Sequence, residues 1–134
     1  MSCNIRHFSA TDDYRDAYDW WTKNDWQPLP LTHLSSTGFV VEIGGKKAVM
    51  GWVYETNSAF CLLEFIIANP EVRRLERTEA FNALINHVIY YTENLGFKSI
   101  FLSTRSEGLM GRLEKHGFAR AETGMTHMIK NRGQ

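Results

Sequence analysis

Residues 60–97 of this chain read FCLLEFIIANPEVRRLERTEAFNALINHVIYYTENLGF, and this stretch decides the fold. It opens with Phe60–Ala68, an almost entirely apolar run that is typical of a strand covered on both faces of a sheet. An arginine-rich turn follows, and then the longest helical pattern in the chain, which ends at Leu95-Gly96. Because the first turn of a helix leaves backbone N–H groups unpaired, a junction of this kind is suited to binding an anionic ligand.

The residues before this junction predict an antiparallel meander and one helix. The predicted strands are Asn4–Phe8, Gly38–Ile43 and Ala48–Glu55. A helix with one aromatic face is predicted from Ser9 to Asn24, with Ser9 or Thr11 accepting hydrogen bonds from its first N–H groups. The segment Trp26–Leu34 contains two prolines and is predicted to be a loop.

The residues after the long helix predict a second strand and a short helix, Ser99–Ser103 and Glu107–His116. Since a helix connects the two apolar strands, the second should run parallel to Phe60–Ala68. The segments Phe118–Thr123 and Met125–Lys130 are predicted to form a terminal hairpin, whose outer strand would be an edge open to a second copy of the chain. The predicted class is therefore an α/β fold with a mixed sheet, in which an antiparallel meander leads into a parallel pair through a crossover helix.

The length, charge balance and cysteine content of the sequence limit the classes of protein to which it can belong. A chain of 134 residues is long enough for one domain with a core, so we expect residues 1–134 to form a single domain. Fifteen basic residues balance fifteen acidic ones, which gives no support for bulk binding to nucleic acid or to an anionic membrane. No apolar run approaches the roughly 20 residues that span a bilayer. The two cysteines, Cys3 and Cys61, form no metal-binding pair, and a reducing cytoplasm is the expected location.

The segment Arg73–Thr78 has two interpretations. In the first, its arginine side chains hold a phosphate group at the start of the helix. In the second, these residues are the solvated first turns of an ordinary helix that begins at Asn69-Pro70, because Asn is a good N-cap and Pro a good first helical residue. In that case no anion-binding loop exists.

The order of elements and two motifs resemble the GCN5-related N-acetyltransferase (GNAT) superfamily. Ser106-Glu107, Leu109 and the run RLEKHGF (112–118) are similar to the family segment N-x-x-A-x-x-L-Y-E-K-x-G-F. The run FIIANPEVR (65–73) is similar to the family's L-x-V-x-P-x-x-R lead into the acyl-CoA loop. The chain also resembles short, divergent members encoded by bacteriophages, which would place it in the cytoplasm of a host cell.

The resemblance implies that acetyl-CoA is the cosubstrate. No metal is expected, because His7, His87, His116 and His127 show no metal-ligand spacing with one another. In the family, the strand matching Phe60–Ala68 splays from the next parallel strand, and the pantetheine arm of coenzyme A pairs with its backbone in the gap. The following loop and helix N-terminus hold the pyrophosphate. The residues that the resemblance assigns to the cofactor are Ile66, Ile67, Ala68, Arg73, Arg74, Arg77, Thr78 and Arg105.

Three departures from the family pattern bear on these assignments. Glu76 and Thr78 stand where the family has the glycines that let backbone N–H groups close around a phosphate. Leu113 stands where the family often has the tyrosine that protonates the departing thiolate. Ser106 replaces the usual asparagine and keeps a hydrogen-bonding side chain.

Glu64 is the strongest catalytic candidate, because a carboxylate inside an apolar strand must be paired, protonated or turned toward a cavity. One hypothesis is that it is a general base with a pKa raised by burial, which takes a proton from an incoming ammonium group. The alternative is a glutamate paired with Arg or Lys at a sheet edge. In an enzyme, water, Ser106 or a nearby hydroxyl would stand in for the missing tyrosine, so Ser106 is the second catalytic candidate.

Trp21, Trp26 and His33 lie where the family builds its acceptor pocket, so the resemblance implies that they contact the substrate. The alternative is that they form the core of a lid. Two classes of function remain open at this stage. The first is an acyl-CoA-dependent N-acyltransferase that acts on an unidentified amine by direct transfer. The second is a GNAT-fold interaction or structural protein of phage origin that has lost the chemistry, as the missing glycines and tyrosine would predict.

Overall fold

A computed structural model describes residues 2–132, which form two compact units that divide between Ser103 and Thr104. The first unit holds a sheet in the order β1-β2-β3-β4-β5 and the helices α1 and α2, and the second holds α3. The strands are β1 (Cys3–His7), β2 (Thr37–Ile43), β3 (Lys46–Glu55), β4 (Phe60–Ala68) and β5 (Ser99–Phe101). The helices are α1 (Ala10–Lys23), α2 (Arg74–Asn94) and α3 (Glu107–Lys115).

The pairing of the strands confirms the predicted fold class. Strands β1 to β4 pair antiparallel, each with the next, and β4 pairs parallel with β5. Helix α2 makes the crossover between the parallel strands, and Gly96 follows it with φ +92°, as expected for a glycine that ends a helix. The apolar run Phe60–Ala68 is thus the strand that joins the meander to the parallel pair.

The predicted terminal hairpin is wrong. Within the described chain no strand follows β5, and residues 119–132 are irregular and exposed. An alternating pattern gives a segment one apolar face but supplies no neighbouring strand, and an isolated two-stranded hairpin is only marginally stable in water. The outer strand of this hairpin, through which pairing with a second copy of the chain was predicted, is therefore not formed in the described residues. Strand β5 also ends at Phe101, two residues before the predicted end at Ser103.

The two helices of the first unit cover opposite faces of the sheet. On one face, Trp20 and Trp21 of α1 form a buried cluster with Trp52 of β3. On the other face, α2 brings Leu84 so close to Gly51 of β3 that a Cβ there would lie 3.1 Å from Leu84 Cδ2. The side of the sheet that carries α1 also carries the residues of the candidate site described below.

Asp13 fastens α1 to the sheet and is fully buried. Arg6 of β1 donates to both of its carboxylate oxygens, at 2.8 and 2.9 Å, and Lys47 Nζ of β3 lies 2.9 Å from Oδ1. The Ser9 N–H donates to Oδ2 at 2.8 Å. Burial by itself would raise the pKa of Asp13, but the hydrogen bonds from Arg6, Ser9 and Lys47 together hold that pKa well below its ordinary range.

The same bonds correct the prediction that Ser9 or Thr11 caps α1 through its side chain. Ser9 occupies the N-cap position but its side chain makes no capping hydrogen bond. Asp13 reaches back to the Ser9 backbone N–H instead, because its side chain is already held there by the two cations. The first turn of α1 is therefore fixed by the ion cluster.

Trp52 lies over Gly38, its partner on β2. A Cβ at Gly38 would fall 2.5 Å from both Cδ1 and Nε1 of the indole, so no larger residue fits there with the ring in place. The indole packs against Trp21 and Phe8, with ring centroids 5.5 and 5.2 Å away. Its Nε1 has no hydrogen-bond partner in the described part of the chain. Since Glu64 is the partner of Trp52 on β4, this placement over β2 turns the indole away from Glu64.

Replacing Asp13 with Asn is expected to lower the free energy of unfolding by about 3 kcal/mol at neutral pH, because two cations lose their buried partner. The folded-state pKa of Asp13 lies below its ordinary value of 3.8, so its contribution is complete above that value and is lost as the pH falls toward the folded pKa. The difference between variant and wild type should therefore shrink in acid. Urea unfolding followed by circular dichroism, at neutral and acid pH, measures both effects.

Asp19→Asn is the matched control for this prediction. The Asp19 side chain is 53% exposed and pairs with Lys23 on the same helix, so its loss should change the free energy of unfolding by less than about 1 kcal/mol. A similarly small change for Asp13→Asn at neutral pH would contradict the prediction.

Replacing Gly38 with Ala is expected to destabilise the protein by about 1–3 kcal/mol, because the added methyl group must displace the Trp52 indole from a packed core. The thermal unfolding midpoint measures this loss. Gly111→Ala is the control: a Cβ there meets nothing within 4 Å, so alanine in the interior of α3 should leave the midpoint unchanged or raise it. An unchanged midpoint for Gly38→Ala would show that the indole has room to move.

Candidate active site

Strand β4 carries a bulge opposite Gly51. Met50 pairs with Ile67 and Trp52 with Glu64, so two residues of β4 oppose one residue of β3. Phe65, within the bulge, has φ +62°, a conformation that costs a bulky residue about 1–2 kcal/mol. A bulge bends its strand and re-aims the side chains beside it, and such bulges are common next to active sites.

Gly51 makes room for this bulge. A Cβ on Gly51 would lie 3.1 Å from Leu84 Cδ2 and 3.2 Å from Ile66 Cγ1, which is tighter than ordinary packing. The absence of a side chain at Gly51 lets Ile66 and α2 approach β3 on this face. The glycine thus has a packing role that its position in a strand pattern did not indicate.

Strands β4 and β5 separate beyond a short parallel contact. Their pairing runs from Phe60 to Leu62 on β4, and β4 then continues to Ala68 with β3 on one side and no strand of the described residues on the other. Ile66, Ile67 and Ala68 lie on this second half, where Ile67 and Ala68 still pair with β3. One edge of the strand backbone is therefore open to an extended ligand.

Glu64 lies at the point where the two strands separate. Its side chain is half-buried, and its Oε1 accepts a hydrogen bond from the backbone N–H of Ser103, two residues after β5, at 3.4 Å. The carboxylate thus reaches from β4 across the opening to the chain that follows β5. This position next to the bulge and the open edge fits a group that acts on a molecule bound in the opening.

Tyr54 is a site residue that the sequence reasoning missed. It follows Trp52 by two positions on β3, so it shares the sheet face of Trp52 and of its partner Glu64. Its ring meets the Phe65 ring edge to face, with centroids 5.8 Å apart, and its hydroxyl donates to the His33 carbonyl at 2.8 Å. The alternation of Met50, Trp52 and Tyr54 along β3 was the signal that could have indicated this shared face.

The surroundings of the Tyr54 hydroxyl raise its pKa. Burial raises the pKa of Tyr54, and the negative charge of Glu64 raises it further, while a hydrogen bond from the Ser35 backbone opposes the shift. The phenol is therefore protonated at neutral pH.

The junction after β4 is a turn, and α2 begins at Arg74 with Arg73 as its N-cap. The interpretation in which the helix starts at Asn69-Pro70 is therefore wrong. Asn69 instead accepts from the Glu71 N–H at 3.0 Å and donates to the Lys47 carbonyl at 2.9 Å, because a short amide side chain can hold its own backbone in a turn.

Arg77 belongs to this turn and is held by it. Its Nη1 donates to the Val72 carbonyl at 2.6 Å and to the Pro70 carbonyl at 3.4 Å. These bonds satisfy carbonyls ahead of the helix, so Arg77 has a structural role that was not predicted. An anionic ligand would have to compete with the backbone for this side chain.

Arg73, Arg74 and Thr78 lie at the start of α2. Arg73 and Arg74 are exposed, and Arg73 Nε is 3.5 Å from the Glu76 carboxylate one turn along the helix. Thr78 is half-buried in the second turn. The first-turn N–H groups of α2 and the two exposed arginines provide positive charge. Glu76, which stands where the resemblance would place a glycine, adds a negative charge beside them.

Arg105 and Ser106 belong to the second unit. Arg105 is exposed, and Ser106 is the N-cap of α3, where its Oγ accepts from the Leu109 N–H at 3.1 Å. Leu113, at the position of the family tyrosine, is buried. The Ser106 hydroxyl therefore caps α3, and its catalytic role stays a prediction.

The three predicted substrate residues fall in different environments. Trp21 is 1% exposed and packs against Trp52, so its side chain is part of the core. Trp26 is 45% exposed in the loop after α1. His33 is exposed, and its carbonyl is the group that binds Tyr54. Trp21, through Trp52, and His33, through Tyr54, are both linked to the sheet face that carries Glu64.

Residues 2–132 contain no group of three or more His, Cys, Asp and Glu side chains arranged to hold a metal ion. None of their helices has the length and apolar content that a membrane crossing would require.

No family model matches the sequence, and neither does any curated protein. Solved structures are similar to it. The ribosomal-protein-S18-alanine N-acetyltransferase from Escherichia coli has a TM-score of 0.74 at 19% identity, over 90% of this chain and 80% of that one. A transcriptional regulator from Bacillus halodurans has a TM-score of 0.71 at 14% identity, over 96% and 100%. An acetyltransferase of the GNAT family from Xanthomonas campestris has a TM-score of 0.67 at 18% identity, over 98% and 94%.

Identities this low carry information about the fold alone. The second of these structures is described by a regulatory role, so the fold does not decide the activity. The likeness does confirm the predicted fold. The described chain has the fold of the GNAT superfamily.

Proposed function

We propose that this protein is an acetyl-CoA-dependent N-acetyltransferase that transfers the acetyl group directly to a primary amine. The observation that carries the proposal is the separation of β4 from β5 immediately beside the bulge that positions Glu64. An open strand edge suits the amide-containing pantetheine arm, and a carboxylate at its start suits the removal of a proton from an amine. Acetyltransferases with the same fold support this reading at the level of the reaction class.

The open edge of β4 is where the chain would hold the cosubstrate. Backbone groups of Ile66, Ile67 and Ala68 would pair with the pantetheine arm along this edge. A backbone N–H freed from the ladder by the bulge would donate to the thioester carbonyl and stabilise the negative charge that develops on its oxygen. Arg73, Arg74 and the first N–H groups of α2 would attract the pyrophosphate.

The cradle for the pyrophosphate differs from a glycine loop. The first-turn N–H groups of α2 and two exposed arginines fit an anion, but Glu76 lies 3.5 Å from Arg73 and opposes it. Arg77 is held by the turn, and we assign Thr78 a weaker role in this binding. Affinity for the cosubstrate should therefore depend on Arg73 and Arg74 more than on backbone groups.

Glu64 would act as the general base. The acceptor enters as an ammonium ion and loses one proton to Glu64, which passes it to solvent. The nitrogen then attacks the thioester carbonyl carbon, so that a C–N bond forms and the C–S bond breaks. The second proton leaves the nitrogen, and a proton reaches the departing thiolate, which gives an amide, CoA thiol and one proton to solvent. Orientation of two reactants can by itself contribute about 7–11 kcal/mol, so a site without the family tyrosine can still be active.

The first test of this proposal is binding of acetyl-CoA. At about 100 times its dissociation constant, acetyl-CoA should add about 2.7 kcal/mol to the free energy of unfolding and raise the thermal midpoint by several degrees. Arg73→Ala with Arg74→Ala should reduce the shift, while Arg15→Ala, an exposed arginine on α1, should not. No shift at millimolar acetyl-CoA would contradict the proposal and favour an interaction protein that keeps only the fold.

The second test concerns Glu64. Glu64→Gln should lower the rate of CoA release by about 10²–10⁴-fold with any amine that supports turnover, because proton removal is lost. The thermal shift with acetyl-CoA should be retained. Release of thiol can be followed with a panel that contains butylamine, spermidine and peptides with a free N-terminus. Equal turnover by Glu64→Gln and wild type would remove Glu64 from the mechanism.

A further inference from the structure

Four rings meet where α2 packs on β1 and β2, and two of them are imidazoles. Phe39 of β2 is buried and lies at the centre of the group. The ring of His7, its partner on β1, has its centroid 5.2 Å from that of Phe39, and the ring of His87 on α2 lies 4.7 Å away at an interplanar angle of 77°. Tyr91, one turn along α2, lies 5.3 Å from Phe39 and stacks on His87 at 6.5 Å. Two imidazoles therefore contact one buried phenyl ring.

The side chains nearest to this cluster on β1 and α2 do little to balance a proton on His87. His87 is half-buried, and on β1 the side chains that face α2 with His7 include the Cys3 thiol, because strand residues alternate between faces. Glu79 lies on the same stripe of α2 as His87, but it is exposed and two turns away. A charge on His7 would oppose a charge on His87, since both rings contact Phe39.

The other strands offer α2 a mostly apolar surface. Phe39 and Gly51 face the helix from the middle of β2 and β3. The titratable side chains on this face of β3 are Lys46 and Glu55, which are exposed near its two ends. On β4, Cys61 faces α2 as a buried thiol. None of these groups contacts the rings of the cluster in the described chain.

The environment of His87 therefore favours its neutral form. Burial lowers the pKa of His87, and the positive charge of His7 lowers it further. Because the folded-state pKa lies below the ordinary value of 6.5, the unfolded chain binds the proton more tightly. The free energy of unfolding is then unaffected by His87 well above pH 6.5 and decreases as the pH falls from there toward the folded-state pKa.

We propose that the cluster of His7, Phe39, His87 and Tyr91 is an acid-sensitive contact that holds α2 on β1 and β2 at neutral pH and releases it in mild acid. With both imidazoles neutral, the four rings pack as one apolar group. A proton on His87 places a charge at the edge of this group, opposite a second cation once His7 is also protonated. This part of α2 then loosens from the two strands. The inference does not depend on the proposed acetyl transfer.

Nuclear magnetic resonance of the full chain tests the contact directly. The imidazole signals of His87 should titrate with a midpoint below 6.5. Between about pH 7.5 and about pH 5.5, the protection factors of backbone amides around His87 should fall, while those of α1 stay constant. Asp13 holds α1 and keeps its charge over this range, since its pKa lies below 3.8. A midpoint at or above 6.5 would show that the rings stabilise the imidazolium ion and would overturn the inference, as would constant protection around His87.

Urea unfolding of variants gives the second test. From about pH 7.5 to about pH 5.5, the decrease in the free energy of unfolding should be smaller by about half in His87→Gln than in the wild type, because glutamine stays neutral. His7→Gln should also reduce the decrease, since it removes the opposing charge. His127→Gln is the matched control, because His127 is exposed in the irregular segment after α3, and it should show the wild-type decrease.

An equal decrease in His87→Gln and the wild type would overturn the inference. If His87→Gln does not fold, His7→Gln at its exposed site and the titration of the unmutated chain decide the question. In that case a wild-type decrease in His7→Gln, together with an unperturbed midpoint for His87, is the contradicting result.

Discussion

The bulge in β4 is the constraint on which the candidate site depends. It exists because Gly51 leaves space for Ile66 and α2, and because Phe65 adopts a positive φ in spite of its bulk. Without the extra residue, the alternation of β4 would place Phe65 on the face opposite Glu64. With it, both side chains contact the face that carries Tyr54. One irregular residue therefore converts a continuous apolar strand into a surface with a carboxylate and two aromatic rings.

The remainder of the first unit holds that face in place. Asp13 fixes α1 to β1 and β3 through Arg6 and Lys47, and Gly38 lets the Trp52 indole lie over β2. The loop after α1 is attached by a tyrosine hydroxyl at two points, from Tyr14 to the Leu29 carbonyl and from Tyr54 to the His33 carbonyl. Tyr54 consequently links the loop to the candidate site, so a shift of the loop at His33 would also move Tyr54.

The elements could be predicted from the sequence because their patterns are local, whereas the site could not. The run Phe60–Ala68 and the helical pattern after it predict the strand and the crossover helix directly. The bulge could not be predicted, because the residue with a positive φ is Phe65 and not the glycine that usually marks such a position. The side chain of Asn69 favours a helix cap and a turn equally, and the backbone of Lys47, distant in sequence, decides between them. Tyr54 is visible as a strand residue, yet its neighbours Glu64 and Phe65 come from another strand.

The short contact between β4 and β5 also bears on how the chain folds. The hairpins β2–β3 and β3–β4 join residues close in sequence, whereas Cys61 meets the Ser99 carbonyl across a separation of 38 residues. Closing so long a loop costs conformational entropy, and only three residue pairs between β4 and β5 offset that cost with hydrogen bonds. This contact should therefore form late in folding and open first in local unfolding. A ligand that lies along the open edge of β4 would complete the pairing that the polypeptide leaves short. Such a ligand would stabilise the contact that opens first, so this edge of the sheet would become more rigid on binding.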